Sequence, residues 1–145
     1  MMKQAARTGT LEAPPYAWGA LAALCVFALY LATLSPTTAM WDTSEYIAAA
    51  KVLGLPHPPG NPLFVMIAHT WGLLPIPVSY AARINILAAL CSSVTAGVWF
   101  LVIDFVLAHG GVQMLQRRAC AAAGVVIGAT ALTVWNQSVV NEKVY

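Results

Sequence analysis

Residues 84–107 read INILAALCSSVTAGVWFLVIDFVL, an apolar run whose one charged residue, Asp104, comes near its end. At 1.5 Å per residue such a run makes a helix of about 36 Å, enough to cross the roughly 30 Å hydrocarbon core of a bilayer. This stretch decides the class of the molecule, and the composition around it agrees. Of 145 residues, 60% are hydrophobic and 8% charged, whereas a soluble domain is about half apolar and a quarter charged. The expectation is an all-α, polytopic integral membrane protein. A net charge of +2, spread along the chain, gives no basic patch for nucleic acid, and that partner is excluded.

Working outward from this run, residues 63–74 are apolar but bounded by Pro62, Pro75 and Pro77. They make at most about 20 Å of helix, which predicts an interfacial or re-entrant element. Upstream, residues 39–55 mix Asp42, Glu45 and Lys51 with alanines and aliphatics. This pattern predicts an amphipathic surface helix that starts near Asp42 and is stopped by Gly54 and Pro56. Residues 16–34 carry no charge and open with Tyr16 and Trp18, the signature of a first span with interfacial aromatics. Residues 1–15 read as a flexible tail, and Lys3 and Arg7 place it in the cytoplasm by the positive-inside rule. Downstream, residues 110–118 form a polar turn with Arg117 and Arg118, and 119–135 form another apolar run.

The predicted organisation is three spans, at about 16–34, 84–107 and 119–135, with an outer loop over 35–83 on the non-cytoplasmic face. Cys25, Cys91 and Cys120 lie far apart inside apolar runs, so they suggest packing rather than disulfides or metal ligation. No cofactor motif is visible, and a metal requirement is left open.

The candidate chemistry lies in the outer loop. Asp42 and Glu45 stand three apart and share one helical face, so two carboxylates could meet one substrate or one cation. The same spacing is also that of a capping box, in which both would only serve the helix start. His57 sits in Pro56-His57-Pro58-Pro59-Gly60, where the prolines preset the backbone and could aim the imidazole. Arg83, at the outer mouth of the long run, could grip a lipid phosphate or snorkel to headgroups. Asp104, at the other end, reads as interfacial.

These residues, in order, resemble a known pattern. Trp41-Asp42-Thr43-Ser44-Glu45-Tyr46 followed by Leu53-Gly54-Leu55-Pro56-His57-Pro58-Pro59-Gly60-Asn61-Pro62 is similar to the opening of the family once called domain of unknown function 2723, the transmembrane protein 260-like protein O-mannosyltransferases. The stretch from Trp135 through Glu142 to Tyr145 resembles that family's second signature. The resemblance implies the GT-C architecture, with a sugar carried on a polyprenyl phosphate, a protein or envelope acceptor, and an acidic centre in the first outer loop. It implies Asp42 as the base for the acceptor hydroxyl, and Glu45 and His57 as residues that orient it or contact the donor phosphate. Arg83 and Glu142 join His57 as candidate substrate-binding residues. It also implies that the chain is the N-terminal part of a larger enzyme, inactive alone. The competing reading is a non-enzymatic membrane subunit or scaffold. Convergence of Asp42, Glu45 and His57 favours the enzyme, and an Asp42 cap on its own backbone favours the scaffold.

Overall fold

The computed structural model describes residues 13–38, 42–58 and 60–141. All its regular elements are helices: α1 (Tyr16–Ala32), α2 (Thr43–Val52), α3 (Pro62–Gly72), α4 (Tyr80–His109), α5 (Met114–Thr130) and α6 (Leu132–Val139). Most of the predicted tail, with Trp41, Pro59 and Glu142, lies outside the described residues.

α4 is the axis of the molecule. It runs 30 residues and is long and apolar enough to cross a membrane. The α5–α6 pair passes the same test only if taken as one broken span, and α1 is shorter, at 17 residues. α4 is also longer than the predicted span. Ser79 starts it by accepting a hydrogen bond from the Ala82 N–H at 3.2 Å, a side-chain cap that lets the helix begin four residues early.

α1 and α4 run antiparallel with their backbones in contact. A methyl group built on Gly97 would lie 2.7 Å from the Gly19 carbonyl oxygen and 3.0 Å from Ala23 Cβ. Small residues are what allow two helices to approach so closely. α5 returns alongside both, and the shared core consists of Val26, Tyr30, Ala89, Phe100, Ala121, Val125 and Ala129. Tyr30 is buried to 1%, and its hydroxyl donates to the Ala129 carbonyl at 2.9 Å, which removes the cost of burying it.

Three expectations change. The last apolar run is not one straight helix from 119 to 135: α5 begins at Met114, and the chain bends 68° before α6. The break falls at Ala131, whose backbone is extended (φ −58°, ψ 132°). Arg117 and Arg118 are therefore in the first turns of a helix, not in a turn. Asp104 does not stand free on the helix surface. It is 3% exposed and accepts from Arg117 Nε at 3.0 Å, because the tight connection through Gly111 (φ +76°) folds α5 back onto α4. Finally, Cys25, Cys91 and Cys120 are free and exposed on the helix surfaces, so none packs the interior of this chain.

α2 and α3 form a separate cap on the first half of α4. Ile47, Ala50, Ala68, Ile84 and Leu87 make its core, with Phe64 and Trp71 against it. His69 ties the pair by donating from Nδ1 to the Ala50 carbonyl at 2.7 Å.

Candidate functional site

The site is built at the start of α2. Asp42 occupies the position before the helix and Glu45 its first turn, where the helix dipole favours negative charge. α2 ends one residue before the predicted stop. Leu53 adopts the left-handed conformation (φ 52°), and the Gly54 N–H reaches back to the Ala49 carbonyl at 2.9 Å. This reversal sends the chain back along α2. The Gly60 N–H then closes a turn onto the His57 carbonyl at 2.9 Å, with Gly60 at φ +74°, a backbone angle that glycine accepts without strain.

The turn brings His57 onto the two carboxylates. Glu45 Oε1 accepts from the His57 backbone N–H at 2.6 Å, and Glu45 Oε2 accepts from His57 Nδ1 at 2.7 Å. The other ring nitrogen, Nε2, lies 3.5 Å from Asp42 Oδ2. Pro56 and Pro58 have no N–H, so His57 carries the backbone donor of the 56–58 stretch, and Glu45 takes it. Asp42 makes no side-chain capping hydrogen bond to its helix, and both Glu45 oxygens are turned to His57. The capping-box geometry is therefore absent, and the three side chains converge.

Hydrogen bonding to His57 holds the Glu45 carboxyl below the usual range. The same bond, with the charges of Glu45 and Asp42, holds the His57 imidazole above its ordinary value against a smaller opposing effect of desolvation. The group is an imidazole set between two carboxylates, and each side chain is about a third or more exposed.

Tyr46 and Asn61 support this arrangement, and neither stands out in the sequence as a site residue. Tyr46 is fully buried, packs edge-on to the His57 ring at 6.0 Å between centroids, and accepts from Asn61 Nδ2 at 2.8 Å. The signal available in the sequence is spacing: Asp42, Glu45 and Tyr46 fall on one helical face.

Asp42, Glu45 and His57 can each offer one ligand atom, all within 4.8 Å of one another, and two carboxylates with an imidazole suit a divalent cation. Both ring nitrogens already face a carboxylate, however. A cation bound through Nδ1 would have to displace Glu45, and one bound through Nε2 would have to enter beside Asp42.

Arg83 is held elsewhere. Its Nη1 donates to the Gly72 and Leu74 carbonyls, each at 3.0 Å, and its Nε to the Val78 carbonyl at 3.3 Å. These carbonyls belong to the end of α3 and its proline-rich connection to α4, and the guanidinium gathers them; the Leu74 carbonyl also accepts from the Ile76 N–H at 2.8 Å. The fork serves that loop and does not join the Asp42 cluster. Glu142 lies outside the described residues.

No solved structure matches this chain. The mouse protein named "Protein O-mannosyl-transferase TMEM260" (Mus musculus) is 39% identical over 79 residues, which cover 54% of this chain and 11% of that protein. The chain therefore matches only a small part of that relative's length. A family model described as the N-terminal domain of protein O-mannosyl-transferase TMEM260 matches residues 42–145, beginning on Asp42 and containing the whole of the cluster. With that model covering most of its length, the chain belongs to the TMEM260 N-terminal domain family.

Proposed function

We propose that this chain carries the acidic centre of a membrane glycosyltransferase of GT-C architecture. It transfers a sugar, mannose by analogy with the relative's name, from a polyprenyl-phosphate donor to a hydroxyl of a protein or envelope acceptor. In this reading α1, α4 and the bent α5–α6 pair span the bilayer. α2 and α3 lie on the non-cytoplasmic face. The observation that carries the proposal is the convergence of Asp42, Glu45 and His57 in place of a helix cap.

The geometry supports one role for each side chain. Asp42 accepts the proton of the acceptor hydroxyl as that oxygen attacks the anomeric carbon, and the bond from that carbon to the phosphate oxygen breaks. His57, whose imidazole Glu45 biases toward the protonated form, offers Nε2–H to the phosphate as negative charge gathers there. Glu45 touches neither reactant and fixes the ring and its backbone. A scaffold would have no use for an imidazole held by its backbone and its ring at once.

The test is Asp42→Asn in the complete reading frame, expressed in membranes and assayed with a polyprenyl-phosphate mannose donor. Loss of the base is expected to lower transfer by about 10²–10⁴-fold with membrane insertion unchanged. Undiminished transfer would remove Asp42 from the mechanism.

A further inference from the structure

Asn85 lies just over one turn into α4, at the head of its apolar stretch, and is fully buried, a costly place for an amide unless each of its polar atoms is matched. They are matched, and every partner is backbone from another part of the chain. Nδ2 donates to the Ser35 carbonyl at 2.9 Å and to the Thr37 carbonyl at 3.1 Å. Oδ1 accepts from the Asn141 N–H at 2.9 Å. One planar group therefore joins the segment after α1 to the segment after α6. The two segments also meet directly, with the Ser35 N–H on the Val139 carbonyl at 3.0 Å.

The position of this knot matters more than its strength. Thr37 is five residues from Asp42 along the chain, and Asn141 directly precedes Glu142. The amide thus anchors both stretches in which the acidic candidates of the outer face stand. We infer that Asn85 is a positioning residue: from within α4 it fixes the points at which the chain leaves for Asp42 and for Glu142. The side chain must present two donors at one corner and an acceptor at the other, at the reach of a single methylene, and asparagine is the residue that does so. An aspartate keeps the acceptor but turns an anion toward two carbonyls, and a leucine keeps the shape but none of the bonds.

The inference rests on the reading of Asp42 as catalytic base, so its test has an arm that needs no catalysis. In the complete protein, with Cys25, Cys91 and Cys120 replaced by serine, cysteines are placed at Ser35 and Val139 and oxidised in membranes. With Asn85 intact, a high yield of cross-link is expected. Asn85→Leu should lower that yield at least tenfold. Should Asn85→Leu fail to give a monodisperse extract, Asn85→Asp takes its place. It should lower the yield as far as is expected of Asn85→Leu, because it turns an anion toward two carbonyls, with parent and variants oxidised at the same pH. In the transfer assay, kcat should fall at least tenfold with donor KM within about twofold.

Unchanged cross-linking in folded Asn85 variants would overturn the inference. So would normal kcat after loss of the cross-link, in a protein where Asp42→Asn abolishes transfer. If Asp42→Asn itself transfers normally, the catalytic reading is the one that fails, and the cross-link then decides the placement of the two segments alone.

Discussion

Removing one member of the buried Asp104–Arg117 pair should destabilise the protein far more than removing both. Arg117 Nε sits 3.0 Å from Asp104 Oδ1, and their side chains are 10% and 4% exposed. Asp104→Leu leaves the guanidinium in place without its carboxylate, and Arg117→Met leaves the carboxylate without its cation. Breaking a buried pair from one side costs about 3–5 kcal/mol, whereas replacing both members by apolar residues of similar volume is often neutral or stabilising. Asp104→Leu with Arg117→Met should therefore lie near the parent protein, and well above the sum of the two single losses. With single losses of about 3–5 kcal/mol each and a double variant near zero, the double variant should be about 6 kcal/mol or more better than the sum of the singles. Unfolding measured by steric trapping in a bilayer mimetic would give the three values. Two results would refute the reasoning. One is single losses within about 0.5 kcal/mol of zero, as for a surface site. The other is a double variant as unstable as the sum of the singles, which would mean that the pair helps the fold through each residue separately.

Other consequences can be checked more simply. The tie between Glu45 and His57 should be tightest between 4.5 and 6.5, the ordinary values of the two groups. The contribution of His57, whose value is raised by folding, is complete below 6.5 and lost as pH climbs through that raised value, while the contribution of Glu45 is complete above 4.5 and lost as pH falls through its lowered one. Limited proteolysis of the 53–61 loop should therefore be slowest in that window and faster at pH about 9, and His57→Gln should flatten the profile; a flat profile in the parent protein would contradict the arrangement. Gly97→Ala should cost about 1–3 kcal/mol of stability because its methyl group meets the Gly19 backbone, whereas Gly128→Ala, with nothing within 4 Å of the new methyl, should be neutral or better in the same thermal assay. Arg83→Lys keeps the charge but loses the fork. Thermal unfolding should show a loss of about 1–2 kcal/mol, and no change would mean that the loop carbonyls do not depend on it.

Much of this could be read from residue types, and the reasons differ from element to element. The ends of α2 and α3 were legible because Asp42, Gly54 and the prolines around His57 act through local backbone chemistry, within a residue or two. The order of Asp42, Glu45 and His57 was legible as well, but their meeting depends on Leu53 taking a left-handed conformation that leucine does not advertise. The bend at Ala131 has no proline or glycine at the break, so the apolar run looked continuous. Asp104 and Arg117 are thirteen residues apart across a turn, beyond the reach of any helical spacing rule. Arg83 looked like a headgroup ligand because its donors were visible in the sequence and the loop carbonyls that take them were not. Asn85 was hidden inside the very stretch whose apolar character set the fold class.

The way Glu45 holds the proline stretch has a consequence for how that stretch can move. Most loops are fastened at several points and loosen by degrees. Between Pro56 and Pro58 the backbone has a single N–H, and it and the ring N–H of the same residue both end on one carboxylate. The fastening at Glu45 is thus a latch and not a zipper: releasing that carboxylate frees the ring Nδ1–H and the main-chain N–H together, and leaves the ring beside Asp42 and Tyr46. A glutamine at position 45 would be an awkward half-measure, since its amide has one accepting oxygen for two donors and turns an N–H toward the other. Whatever lifts His57 from this site must act on Glu45, and it will move the peptide as far as it moves the imidazole.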